Sequence, residues 1–158
     1  MKYDLLIIGS GPGGYVAAIR ASRLGKKVGV VEREELGGIC LNWGCIPTKA
    51  LLKSAQVFEY VTHASDYGIQ IEGPVKPDMK GMVERSRDVA NAMSKGVQFL
   101  FRKNKIDHIE GTGILVAPGK IEGASGDGKK PTHEASHIIL ATGARSKELP
   151  NIKQDGKK

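Results

Sequence analysis

A glycine run placed between a strand and a helix constrains this chain more than any other feature. Gly9-Ser10-Gly11-Pro12-Gly13-Gly14 follows Tyr3 to Ile8, a segment that reads as a buried strand and stops sharply at Gly9. From Gly13 to Leu24 the residues Val16, Ala17, Ile19, Ala21 and Leu24 form an apolar stripe at helical spacing. Gly25 stands where a helix would be capped. Val28 to Glu32 is a second aliphatic strand. Strand, turn, helix and strand in that order make a βαβ unit, and such units build parallel sheets.

Farther along, Lys49 to Thr62 carries Leu51, Leu52, Ala55, Phe58 and Val61 and reads as a helix. Asp66 to Pro77 is loop-like. Asp78 is a plausible cap for a long amphipathic helix reaching about Lys103. Its stripe of Met79, Met82, Val83, Met93, Val97 and Phe101 is read as packing surface rather than a cofactor box. Ile106 to Val116, Lys120 to Glu122 and Glu134 to Leu140 read as strands, with Gly123 to Lys130 a polar turn region. Ser146 to Lys158 shows no core-forming pattern, and no internal repeat is visible.

The 158 residues suffice for one domain with a sizeable core. The aliphatic runs Leu5-Leu6-Ile7-Ile8 and Ile138-Ile139-Leu140-Ala141 are too short to span a bilayer. Met1 leads directly into a strand with no secretory leader, so a cytoplasmic location and no membrane association are expected. The formal charge of +7 raises the question of nucleic acid. The cations are scattered, apart from Arg102-Lys103-Asn104-Lys105 and Lys157-Lys158, and aromatic interleaving is scant. A solvated surface is therefore the expectation, with no nucleic-acid partner.

The glycine run fits G-x-G-x-x-G through Gly9, Gly11 and Gly14. The first glycine permits the tight turn, the second lets backbone approach a pyrophosphate, and the third lets helix and strand pack closely. The phosphates then meet free N–H groups at a helix N-terminus. Glu32 closes the second strand, where a carboxylate can accept from a ribose diol and would repel a 2′-phosphate. The pattern does not separate FAD from NAD, since both carry ADP-ribose.

Cys40 and Cys45 are the only cysteines, in Gly37-Gly38-Ile39-Cys40-Leu41-Asn42-Trp43-Gly44-Cys45-Ile46-Pro47-Thr48-Lys49. Zinc would need further ligands, and His63, His108, His133 and His137 lie far off without ligand spacing, so no metal site is expected. A structural disulfide would close a tiny loop and remove little chain entropy. Two inert core cysteines are possible, but Gly37, Gly38 and Gly44 argue for close backbone approach. A redox disulfide is favoured, and a dithiol exchanges two electrons most directly with a flavin. Lys49, one turn after Cys45, adds positive charge nearby.

With these residues in view the chain closely resembles the N-terminal part of the dihydrolipoamide dehydrogenases, within the pyridine nucleotide–disulfide oxidoreductase family. The resemblance covers essentially the whole chain. It rests on Gly9 to Tyr15, on Gly38 to Leu52 and on Ile138-Ile139-Leu140-Ala141-Thr142-Gly143-Ala144. It implies an α/β, Rossmann-like FAD-binding domain with a parallel sheet, helices and a small antiparallel β element, in incomplete form.

By that resemblance FAD lies along Gly9, Gly11, Pro12, Gly13 and Gly14, with Glu32 on the adenosine ribose. Arg33, Gly38 and Ala141 join the cofactor-binding positions. Gly113 looks like a backbone contact to adenine, and Thr142 and Gly143 look like a second flavin-binding motif. Cys40 would be the interchange thiol, Cys45 the charge-transfer thiolate against the flavin ring, and Lys49 a neighbour of flavin N5. The resemblance further implies NAD as terminal acceptor, lipoyl domains of 2-oxo acid dehydrogenase complexes as partners, and a homodimer.

Family members are much longer. Residues 1–150 are expected to be the N-terminal part of the FAD-binding domain, and 151–158 the start of a crossover to an NAD domain absent here. The chain is thus expected to be a fragment that does not turn over by itself. Glutathione and mercuric reductases belong to the same family and are an alternative parent. A nucleotide-binding module without redox chemistry is another alternative.

Overall fold

The computed structural model describes residues 2–124, 131–145, 147–153 and 155. The expected βαβ unit is formed by β1 (Lys2–Ile8), α1 (Pro12–Arg23) and β2 (Val28–Glu32). Next come a short helix α2 (Gly38–Asn42), α3 (Cys45–Thr62), a 3-10 turn at Ala64–Tyr67 and the long α4 (Met79–Lys103). Strands β3 (Asp107–Glu110), β4 (Thr112–Ala117), β5 (Lys120–Ala124) and β6 (Thr132–Leu140) follow.

The six strands form one mixed sheet in the order β3-β2-β1-β6-β5-β4. From β3 to β6 all neighbours are parallel, with Ile7 opposite Val30 and also opposite Ile139. From β6 to β4 they are antiparallel. The α/β architecture with a small antiparallel element is therefore present, with β6 shared by both parts. The chain leaves β1 toward β2 on one side and returns to β6 on the other. The order reverses at β1, and in open parallel sheets ligands bind beyond the carboxyl ends of strands at such a point.

Packing follows from the alternation along the strands. Ile7, Val28 and Val30 turn to the face covered by α1 and α4, where Ala18, Leu36, Leu41, Val97, Phe101 and Ile106 complete one core. Tyr3, Leu6, Ile8 and Val31 turn to the other face and pack with Ile121 and Ala135. Tyr3 Oη also donates to Asp107 Oδ2 at 3.0 Å, tying β1 to β3. Burial, that hydrogen bond and the carboxylate's charge together push the Tyr3 hydroxyl up to about 12.

Three local differences from the sequence reading stand out. The helix expected from Lys49 begins at Cys45, because Pro47 falls in the first turn, where a missing N–H costs nothing. The segment Ile106 to Val116 is two strands rather than one. Gly111, at φ +139, breaks it so that β3 runs parallel to β2 while β4 pairs antiparallel with β5. Strand β5 also extends to Ala124, which narrows the expected turn region, and β6 begins at Thr132 rather than Glu134. The rest of that region, 125–130, lies outside the described residues. The Asp78 cap is present, with Oδ1 accepting from Gly81 N at 3.1 Å. Among the described residues no helix is long and apolar enough to cross a membrane.

Candidate functional site

The glycine turn is shaped by what its own backbone touches. Gly9 has φ +98, and a Cβ there would collide with the Ala141 carbonyl. A Cβ on Gly14 would collide with the Gly9 carbonyl. These two positions hold β1, α1 and the end of β6 together, with Ala141 N donating to Ile8 O at 2.8 Å. Gly11 and Gly13 differ, since a Cβ on either would meet nothing within 4 Å. Gly11 is the N-cap of α1, no side chain caps it, and Pro12 opens the helix. Helix N–H groups therefore face open space above small residues, the arrangement that receives a phosphate group.

Glu32 is more occupied than the sequence suggests. Its Oε2 accepts from Ser10 N at 2.8 Å and Ser10 Oγ at 2.7 Å. Its Oε1 accepts from Arg33 N at 2.8 Å and Glu34 N at 3.0 Å. A carboxylate offers about four lone-pair sites, so this one is organised before any ligand arrives. Burial by itself would raise its pKa. The bonds from Ser10, Glu34 and Arg33 outweigh burial and hold it below the ordinary glutamate value. Ser10 is fully buried and accepts Gly37 N at its Oγ, 3.2 Å, and at its carbonyl, 3.1 Å. Sequence reasoning missed Ser10, which looked like a filler inside the glycine pattern.

The cysteine segment starts on this turn. A Cβ on Gly38 would stand 2.8 Å from Gly11 Cα, so the two backbones lie against each other. Cys40 falls within α2, and Cys45 opens α3. In one continuous helix, residues five apart point about 140° from each other around the axis. The helix is not continuous here. Trp43 and Gly44 leave helical geometry at ψ −4 and ψ −104, and both of their N–H groups fall back on Ile39 O, at 2.9 and 2.7 Å. This break brings the two sulfurs together. Both are free thiols, Cys40 partly buried and Cys45 exposed.

The Cys40 thiol is raised above its usual value, chiefly because it donates to the Cys45 sulfur, with burial and the charge on Cys45 adding to this. The Cys45 N–H and the Lys49 charge act in the opposite sense. Cys45 is the first residue of α3, at that helix's N-terminus.

Two further residues set this break and carry no motif signal. Asn42 is buried, and its amide donates to Leu36 O at 3.1 Å and Gly38 O at 3.0 Å. Arg87, on α4, donates through Nη1 to Asn42 O at 3.1 Å. At the far rim, Gly113 packs over β1 and β2, where a Cβ would stand 3.1 Å from Ile8 Cγ2 and 3.2 Å from Val31 Cγ1. Thr142 and Gly143 follow β6 after Ala141 and are exposed. The structure thus brings Gly9, Gly11, Gly14, Glu32, Arg33, Gly38, Gly113 and Ala141 to one end of the sheet. The described residues include no group of three side chains able to hold a metal.

Residues 3–158 match the sequence profile of the pyridine nucleotide-disulphide oxidoreductases. The chain belongs to that family. A dihydrolipoyl dehydrogenase of Rhizobium etli is 54% identical, with 99% of this chain and 35% of the relative covered. One of Zymomonas mobilis is 49% identical over 98% of this chain and 33% of the relative. A leghemoglobin reductase of Vigna unguiculata is 42% identical over 98% of this chain and 30% of the relative. This member of the disulphide oxidoreductases therefore spans about a third of the length of the curated relatives it matches.

Proposed function

We propose that this chain is the flavin- and disulfide-bearing segment of a dihydrolipoyl dehydrogenase. In that reading residues 1–150 are the N-terminal part of an FAD-binding domain, and 151–158 begin a crossover toward an NAD domain. The observation that carries the proposal is the contact of Gly38 with Gly11, with Gly37 N on Ser10, which roots the cysteine helix on the phosphate-binding turn. A dinucleotide on that turn is then within reach of the dithiol.

The residues suit FAD. The open space over Gly11 and Gly13 admits a pyrophosphate, and Pro12, Gly13 and Gly14 frame the α1 N-terminus beneath it. Glu32, whose Oε1 already accepts from Arg33 and Glu34 N–H, would hold the ribose end of the cofactor. Gly113, Ala141, Thr142 and Gly143 border the same end of the sheet. FAD, when bound, supplies a two-electron acceptor for the dithiol and a hydride donor to NAD.

The chain's own chemistry begins from a Cys40–Cys45 disulfide. One thiolate of a dihydrolipoyl group attacks the Cys40 sulfur. The S–S bond breaks, and its electron pair leaves on Cys45. The second lipoyl thiolate then displaces Cys40, which takes up a proton. The lipoyl group is oxidised to its disulfide, and the protein pair is reduced to the dithiol. Lys49 lends positive charge to the pair.

Lipoyl domains of 2-oxo acid dehydrogenase complexes are the partners in this reading, a homodimer is the working assembly, and the location is cytoplasmic, where thiols cycle. The test uses the flavin-loaded full-length protein. Adding dihydrolipoamide should produce a long-wavelength charge-transfer band, and Cys45→Ser should remove it while leaving flavin bound. A band that persists in Cys45→Ser contradicts the assigned role.

A further inference from the structure

Breaking the helix between α2 and α3 leaves a main-chain acceptor without its ordinary partner. In a continuous helix the Asn42 carbonyl would accept from the N–H of Ile46. Here it accepts from Arg87 Nη1 at 3.1 Å, across 45 positions of sequence. Arg87 comes from a well-anchored stretch of α4. Its neighbour Ser86 is buried and bonds Val83 O at 2.7 Å, and Ala90, Val97 and Phe101 are buried farther along the same helix. Residue 42 is therefore gripped at both ends. Its side chain holds the loop rooted on Ser10, and its carbonyl is held by α4.

We propose that Arg87 is a positioning residue for the Cys40–Cys45 pair: by capping the Asn42 carbonyl it holds the α2–α3 break in the bent form in which the two sulfurs meet. This rests on the redox reading above. Without the cap, the cheapest way to satisfy Asn42 O is to restore the helical bond to Ile46, which swings Cys45 away from Cys40. Arg87 acts through geometry, because its hydrogen goes to a main-chain oxygen.

Arg85 provides the control. It also reaches from α4 to a main-chain oxygen, Ala50 O at 2.8 Å, but that carbonyl lies inside α3 and beyond the break. Losing it loosens the same helix pair without touching the turn between the cysteines.

The experiment titrates the pair in the full chain against mixtures of reduced and oxidised glutathione. Each ring closure converts one glutathione disulfide to two thiols while Cys40 and Cys45 lose two hydrogens. The closed fraction is read by alkylation and mass measurement of the Cys40–Cys45 peptide. Arg87→Met is expected to shift the equilibrium toward the dithiol about tenfold, equivalent to about 30 mV. Arg87→Lys should recover part of that shift. Arg85→Met should lower the melting temperature comparably yet leave the equilibrium where it was. Should Arg87→Met not fold, Arg87→Gln carries the same expectation, since its amide is too short to span the gap.

Equal equilibria for the unsubstituted chain and the Arg87 variants overturn the positioning role while leaving the redox reading intact. An unsubstituted chain that forms no Cys40–Cys45 disulfide at any glutathione ratio overturns both.

Discussion

The glycine turn and the cysteine turn are both sharp reversals beside the same strand ends, but they are held in opposite ways. The glycine turn is held by neighbours on the strands that flank it. Gly9 presses on Ala141, Gly14 presses on Gly9, and Ser10 shares hydrogen bonds with Glu32. Mostly backbone is involved, and nothing from α4 is needed. The cysteine turn is held by side chains. Asn42 reaches back to Leu36 and Gly38, and Arg87 reaches in from a helix far along the chain. Where backbone packs on backbone, at Gly9 and Gly14, the turn tolerates no added atom, whereas a turn built from side-chain hydrogen bonds loosens by degrees.

The largest effect should therefore come from adding one carbon to the first turn. Gly14→Ala is expected to cost about 3 kcal/mol or more, because the Gly9 carbonyl cannot yield. Denaturant midpoints would measure it, and a near-neutral result would mean that the turn is softer than its contacts imply.

Asn42→Ala comes next. It leaves the Leu36 and Gly38 carbonyls without their donor, at about 1–3 kcal/mol. It should also change the rate at which Cys40 and Cys45 are alkylated, since the turn between them relaxes. Stability loss with unaltered alkylation would break the contrast drawn between the two turns.

Glu32→Gln should cost about 1–2 kcal/mol, because an amide NH₂ replaces an oxygen that receives only donors. The pH dependence has a definite sign. The folded pKa of Glu32 lies below the unfolded one, so the unfolded state holds more protons in that window. Its contribution is complete above the ordinary carboxylate range and is lost as pH falls through the folded value. Acid unfolding of Glu32→Gln should therefore be flatter with pH in that range. A parallel pair of curves would remove Glu32 from the account.

The smallest expected effect on the fold is that of Gly11→Ala. A Cβ there meets nothing, so stability should stay within about 0.5 kcal/mol while flavin retention drops. Retained flavin would show that the open space over α1 is not where the phosphates lie.

How legible each turn was follows from the same contrast. The glycine turn could be read directly because each element near it announces itself: an aliphatic strand, glycines at fixed offsets, an acidic residue at the end of the next strand. The boundaries of β1, α1 and β2 came out within a residue or two. The cysteine segment could be read as chemistry but not as shape. Nothing in Cys40 to Cys45 says that a helix ends at Asn42 and another starts at Cys45. Ser10 and Arg87 were invisible for a related reason. One hides inside a glycine pattern, and the other looks like any exposed cation on an amphipathic helix.

The order of apolar runs and glycines by itself determined a parallel βαβ unit with a glycine turn at its strand ends, because side-chain periodicity and the absence of Cβ atoms are local properties. The split of Ile106 to Val116 at Gly111, the saturation of Glu32 and the convergence of the two sulfurs were decided only in three dimensions. Each depends on which hydrogen-bond partner reaches a backbone group first, and that partner can lie dozens of residues away.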